Sequence, residues 1–257
     1  MITINSHPNK KLYFASDQHF GAPTRQASLP REQKFVQWLS EIKNDAAALF
    51  LLGDLFDVWF DYNTVVPKGF VRVFGKLAEL RDAGIPIYFF VGNHDLWMRD
   101  YLTEELDIPI FFEPKEFNIN SKLFLIGHGD GLGPGDKGYK RMKKVFTFSL
   151  FQWMYRWLHP DIGMKIAQYL SVKNKIISGD DDAIFLGENN EWLVTYCKEK
   201  LTTKNYDYFV FGHRHLPLDI QLNENSTYFN LGDWIKYYTY GEFDTEFRLK
   251  EFVNSND

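Results

Sequence analysis

The stretch AALFLLGDLFD, residues 47–57, runs from an apolar segment straight into a glycine and then into Asp54 and Asp57. An uninterrupted apolar run of this length predicts a strand buried on both faces, as in a sheet covered by helices. Its exit through Gly53 sets a carboxylate at the carboxyl end of the strand, the edge where open α/β sheets bind ligands. Four further runs share the form: KLYFAS (11–16), IPIYFFVG (85–92), KLFLIGHG (122–129) and YDYFVFGH (206–213). Helical patterns separate the earlier ones. PREQKFVQWLSEIKN (30–44) opens on a proline suited to a first turn, and GFVRVFGKLAELRDAG (69–84) closes on Gly84, a plausible cap. Toward the C-terminus LPLDIQL (216–222), STYFNLG (226–232) and EFRLKEF (246–252) read as strands, the first two joined by the turn-like NENS, which adds a mixed or antiparallel portion. The expected fold class is α/β, a sandwich of sheets.

Residues 133–178 break this alternation, and they read as a helical insertion within a single domain spanning 1–257, bounded by the turn-rich GLGPGD and the acidic SGDDD. The segment VFTFSLFQWMYRWL (145–158) is apolar on nearly every face, so it needs either burial on several sides or an apolar ligand to cover it. Lys137, Lys140, Arg141, Lys143, Lys144, Lys173 and Lys175 flank it and suit a diphosphate or anionic headgroups. For the whole chain, 45% hydrophobic and 18% aromatic residues argue against disorder, and a net charge of −5 argues against general affinity for nucleic acid. The lone Cys197 excludes a disulfide framework and a cysteine-built zinc site, leaving oxygen and imidazole as metal ligands. The N-terminus lacks the longer apolar segment of a secretory signal, and no apolar run reaches the roughly 18 residues that span a bilayer, so a cytoplasmic, soluble or peripheral protein is expected.

The polar residues at the strand ends form a set: Asp17 and His19 in SDQH, Asp54 and Asp57 in GDLFD, Asn93, His94 and Asp95 in GNHD, His128 in GHGD, and His213 and His215 in GHRH. If the strands share one sheet with aligned carboxyl ends, these side chains converge on one crevice. Histidines at a strand end can also simply hydrogen-bond the adjoining loop. A mixed nitrogen and oxygen set of this size suits manganese, iron or zinc better than calcium, and it exceeds what one ion takes. Two divalent cations sharing a carboxylate lower the pKa of bound water and clamp a phosphoryl centre, and Asp54 is the candidate shared ligand. Asp95 reads as a cap for a following helix.

In their order D-x-H, G-D-x-x-D, G-N-H-D, G-H and G-H-x-H, these motifs resemble the calcineurin-like metallophosphoesterase superfamily from Asp17 to His215. The resemblance implies a β-sandwich flanked by helices (α/β/β/α), here with the 133–178 insertion as a helical cap. It also implies two metal ions, manganese first with iron or zinc as alternatives, one held by Asp17, His19, Asp54 and His215 and the other by Asp54, Asn93, His128 and His213. His94 is then the group that assists the leaving oxygen, with Asp57 orienting it.

LFLLGDLFDVWF, HGDGLGPGDKGYKRMKK and FNLGDW are similar to the UDP-2,3-diacylglucosamine pyrophosphohydrolases of lipid A synthesis. That narrower resemblance implies a UDP-linked acylated sugar as substrate, cleaved to UMP and a diacylated sugar phosphate, with Asp136, Tyr139, Lys173 and Lys175 as substrate contacts. Peripheral contact with an anionic membrane follows from such a substrate; a monomer is the default, and no nucleic acid partner is expected. The chain departs from that family's best-known form at His94, where arginine stands, and in reading GHRHLP for G-H-T-H-R-P. The departures spare the metal ligands. They leave open a soluble metallophosphoesterase acting on a nucleotide, a phosphoprotein or another phosphodiester, in which the apolar strip of the insertion is ordinary core.

Overall fold

The computed structural model describes residues 1–134, 137–178, 184–188 and 190–253, and for 172–178 the backbone only. Each of the five apolar runs is a strand whose alternate side chains enter different layers. In β2 (Lys11–Ala15), β3 (Ala46–Leu51) and β4 (Ile87–Phe90), the residues Leu12, Phe14, Ala48, Phe50 and Phe90 point into one core, while Tyr13, Ala15, Leu49, Leu51, Ile87 and Phe89 point into another. In β7 (Lys122–Ile126) and β8 (Tyr208–Phe211), Phe124, Ile126 and Val210 join the first of these cores, and Leu125, Phe209 and Phe211 enter a third. The period of two therefore builds a sheet-on-sheet interior with a helical layer outside each sheet. Stacked rings fill that interior, with Phe14 4.7 Å from Phe50 and 6.4 Å from Phe124 across the two sheets.

The five motif strands do not share one sheet. β2, β3 and β4 run parallel in one, extended by β5 (Ile110–Phe111), β11 (Thr239–Phe243) and β12 (Phe247–Glu251) in the order β12-β11-β2-β3-β4-β5. β7 and β8 run parallel in the second, with β1 (Ile2–Ile4), β6 (Lys115–Ile119), β9 (Pro217–Asn223) and β10 (Ser226–Leu231) in the order β1-β6-β7-β8-β10-β9. The antiparallel portion is real: β9 pairs β10, whereas EFRLKEF crosses to the first sheet and pairs β11. Helices α1 (Arg25–Ile42), α2 (Val71–Asp82) and α3 (Tyr101–Leu106) cover the first sheet, and α7 (Trp192–Leu201) covers the second.

Two helix ends refine the sequence reading. Helix α1 starts before Pro30, because the Thr24 hydroxyl accepts from Ala27 N–H at 3.1 Å and fixes the N-terminus there, leaving Pro30 inside the helix. Gly84 does terminate α2: at φ 78° its N–H reaches Arg81 O (2.8 Å) while Ile85 N–H reaches Leu80 O (3.0 Å), the paired bonds of a left-handed helix stop.

Between β7 and α7 the chain forms α4 (Lys137–Phe146), α5 (Ser149–Arg156) and α6 (Pro160–Ser178). An aromatic seat holds them to the body: Tyr155 lies 4.8 Å from Phe60 and 4.6 Å from Trp97, and the Trp97 indole donates to Phe146 O at 2.6 Å. No residue of α4 or α5 is buried. Phe148, Phe151, Trp153, Met154 and Trp157 are exposed, so the apolar strip is not ordinary core.

Candidate metal centre

The loops that leave β2, β3, β4, β7 and β8 meet at one end of the sandwich. Backbone bonds align them: Asp17 N–H donates to Gly53 O (3.1 Å), His19 N–H to Asp54 O (2.9 Å) and Gly212 N–H to His128 O (2.8 Å). Across the sheets, His213 N–H donates to Asp17 Oδ2 at 2.9 Å. Asp17, His19, Asp54, His213 and His215 all hold positive φ, between 45° and 71°. Such conformations cost on the order of 1–3 kcal/mol each for non-glycine residues and persist where the surroundings over-determine them, typically at functional sites. Gly53 is required by proximity as well as by its φ of 89°, since a Cβ there would sit 2.6 Å from Gly92 N and 2.8 Å from His128 Nδ1.

Two groups of side chains result, with Asp54 in both. Asp17, His19, Asp54 and His215 each offer an atom within 4.8 Å of the others. His19 Nε2 lies 3.6 Å from Asp54 Oδ2, and His215 Nε2 lies 3.2 Å from His19 Nε2 and 3.4 Å from Asp17 Oδ1. On the other side of Asp54, His128 Nε2 is 3.4 Å from Asp54 Oδ2 and 3.2 Å from Asn93 Oδ1, with the His213 ring centred 5.2 Å from that of His128. The far nitrogens fix these rings. His128 Nδ1 donates to Leu52 O at 2.6 Å, and His215 Nδ1 faces Asp233 Oδ2 at 3.3 Å, so each Nε2 is turned inward.

The electrostatics ask for cations. Burial opposes ionisation of Asp17, yet His215 and His19 outweigh it and hold the carboxyl at about 2; Asp54 is likewise driven well below the usual range despite its burial, chiefly by His128 and His94. Burial also opposes the His128 imidazolium, but Asp54 and Asp17 raise it to about 10. Positive charge beside the buried carboxylates is what favours their ionised form, and divalent cations would supply it directly. Among the described residues Asp17 Oδ1, wholly buried, finds no hydrogen-bond donor, and it lies 3.4 Å from His215 Nε2 and 3.8 Å from His19 Nε2. The donor set fits a divalent cation.

Around this core, His94 Nδ1 is 2.9 Å from the backbone carbonyl of Asp57 and 3.7 Å from its Oδ1, and its ring meets His19 edge-on at 4.6 Å. Asp57 orients His94 more closely through its backbone than through its carboxylate, which faces His19 Nδ1 at 3.6 Å and accepts from Ser171 of α6 at 2.9 Å. Tyr139 donates its hydroxyl to Asp130, which also binds Lys143 Nζ at 2.7 Å. Asp136 lies outside the described residues, as do the side chains of Lys173 and Lys175.

Asp95 caps no helix. Its carboxylate accepts from Gly92 N–H (2.7 Å) and Leu55 N–H (3.0 Å), tying two ligand loops together, and burial together with the Asp54 charge pushes its pKa up to about 7. Asp233 is the partner that sequence reasoning missed. The signal was present, since NLGD after β10 repeats the strand-glycine-aspartate pattern of LLGD after β3. Trp234 beside it is buried against Phe35 (4.8 Å) and Trp38 (5.1 Å).

A family model described as calcineurin-like phosphoesterase matches residues 10–217. The UDP-2,3-diacylglucosamine hydrolase of Porphyromonas gingivalis is 36% identical over 246 residues, covering 91% of this chain and 94% of that one. A protein of the same name from Shewanella baltica is 29% identical over 224 residues, covering 87% and 89%. Among solved structures, Yfce, a phosphoesterase from E. coli, overlays with a TM-score of 0.44 at 18% identity, covering 91% of this chain and 88% of that chain.

Proposed function

The chain belongs to the calcineurin-like phosphoesterase family and is a hydrolase, and from that premise we propose that it cleaves UDP-2,3-diacylglucosamine to UMP and 2,3-diacylglucosamine 1-phosphate. The observation that carries the reaction class is the buried carboxylate of Asp54, within 3.6 Å of His19 and 3.4 Å of His128, one from each ligand group. The substrate class follows from relatives of that name matched along most of their length.

In this reading Asp17, His19, Asp54 and His215 hold one divalent cation and Asp54, Asn93, His128 and His213 the other, manganese being the first choice and iron or zinc the alternatives. When bound, the pair supplies Lewis acidity that activates water and offsets charge on the phosphoryl oxygens. The chain's own contribution is orientation and proton transfer. His94, steadied by the Asp57 carbonyl, donates a proton to the departing oxygen or a hydrogen bond to the phosphoryl group. Ser171 fixes Asp57 from α6, so residues 133–178 act as a cap inserted in the one domain. Asp136, Tyr139, Lys173 and Lys175 are the proposed substrate contacts, Tyr139 acting from its anchor on Asp130.

The exposed apolar side chains of α5, with Arg156, Lys140, Arg141 and Lys144 on and beside it, suit acyl chains and an anionic membrane surface. No helix among the described residues is long and apolar enough to cross a membrane. A cytoplasmic monomer in peripheral contact with the membrane is the proposed state. A competition assay tests the substrate: purified enzyme receives diacylated UDP-glucosamine, a water-soluble UDP-sugar, a cyclic nucleotide and a phosphopeptide together. Preference for the acylated substrate is expected. Preference for an unacylated one would replace the lipid reading with a soluble phosphoesterase.

A further inference from the structure

The turn carrying His213 and His215 is held by a buried ion pair between Arg214 and Glu191. Both histidines hold positive φ, and the N–H of the residue between them, Arg214, closes back on Gly212 O at 2.9 Å. Two left-handed residues in a three-residue turn need an external restraint to stay in place. The Arg214 side chain is 0% exposed. Its Nε donates to Glu191 Oε2 at 2.9 Å, its Nη2 donates to Glu191 Oε1 at 3.0 Å and to Ile184 O at 2.6 Å, and its guanidinium stacks 4.4 Å over the Trp192 ring. Glu191, equally buried, precedes α7 and also accepts from Leu186 N–H at 3.1 Å. A forked ion pair wholly out of water is costly to desolvate and is often replaceable by apolar residues without loss of stability, so stability alone is a poor account of it.

We propose that Arg214 is a positioning residue for both metal positions, and that its pair with Glu191 makes the Ile184–Leu186 segment part of the frame that holds the centre. The proposal rests on the reading of His213 and His215 as ligands of different cations. One side chain then sets the turn that supplies a ligand to each, so loosening it weakens both positions at once, whereas loss of His213 or of His215 weakens one. The guanidinium is assigned no bond to cation or substrate; it acts through the turn, through Glu191 at the start of α7 and through the Ile184–Leu186 segment.

The test is a manganese titration of the full chain, stripped by chelation, followed by calorimetry and by spin resonance. Wild type is compared with Arg214→Lys and with the double variant Arg214→Met, Glu191→Met, which leaves no buried charge without its counter-charge. The double variant is expected to melt, metal-free, within a few degrees of wild type while binding both manganese equivalents about tenfold or more weakly, the range seen when groups supporting metal ligands are removed. Arg214→Lys, which keeps the charge and loses the fork, is expected to fall between them. Wild-type affinity in the double variant overturns the proposal, as does a loss of affinity accompanied by an equal loss of metal-free stability. Manganese binding involves no lipid, so a wild-type enzyme that rejects the acylated substrate defeats the proposed function without touching this result. A wild type that binds no manganese is titrated with zinc and iron(II) instead, and binding of none of the three defeats both.

Discussion

A carboxylate at this centre either faces the ligand cluster or holds something that does, and the two roles separate in mutants. Asp54→Ala removes the group shared by both ligand sets; turnover is expected to vanish with an unchanged circular dichroism spectrum, and near-normal hydrolysis with metal present would reject the assignment. Asp233→Asn is subtler. Oδ1 still accepts from the N–H groups of Ile235, Lys236 and Tyr237, but an amide nitrogen replaces the oxygen facing His215 Nδ1. About 10–100-fold loss in metal affinity or activity is expected, read by metal titration, with the fold retained. The candidate ligands were legible in the sequence because imidazole and carboxylate cluster directly after apolar strands. Asp95 was not, because an aspartate that serves backbone N–H groups has the sequence signature of any turn, and Asp233 was passed over for the same reason although NLGD carries the pattern of LLGD. Arg214 was hidden for the converse reason: an arginine between two histidines reads as exposed charge until Glu191 is brought to it from a distant segment.

At the scale of the element, two glycines set the contrast. An alanine Cβ at Gly84 meets open space, so Gly84→Ala should cost only the left-handed backbone, about 1–2 kcal/mol, lowering the melting temperature by a few degrees while sparing activity. A Cβ at Gly92 would lie 2.6 Å from Asp54 N and closer still to its carboxylate; Gly92→Ala should abolish metal binding, measured by the same titration. The buried motif strands and the helices α1 and α2 were legible from apolar pattern and end signals, α1 with its start displaced. Among the elements not foreseen, β5 has two residues and β1 three, each at a sheet edge, while β11, inside its sheet between β12 and β2, reads TYGEF, where Gly241 looks like a breaker. In the structure Gly241 gives room to Phe247 on the partner strand, a packing reason that no local pattern carries. Pro30 misled in the same way, since the cap that starts α1 lies upstream at Thr24.

At the scale of the whole molecule, the aromatic excess divides between the layered interior and an outward face on the helical insertion. Trp153 and Trp157 are 53% and 76% exposed with rings 6.0 Å apart. Replacing both by serine should abolish flotation with anionic liposomes yet leave hydrolysis of a water-soluble phosphodiester within about twofold, as surface changes of this kind rarely reach the core. Equal recovery of wild type with and without lipid would count against membrane contact. The sequence suggested a sandwich but not how its motifs were dealt between the halves, because strand pairing is a long-range property that runs of apolar residues do not encode. That division has a thermodynamic consequence. Asp17, Asp54 and Asn93 come from one sheet and His128, His213 and His215 from the other, so each cation would act as a rivet through both plates of the molecule. Unfolding cannot separate the plates without ejecting the rivets, and ligation of the native state alone adds about 2.7 kcal/mol at one hundred times the dissociation constant. The melting temperature should therefore climb with the logarithm of manganese concentration, making heat resistance a gauge of how fully the centre is loaded.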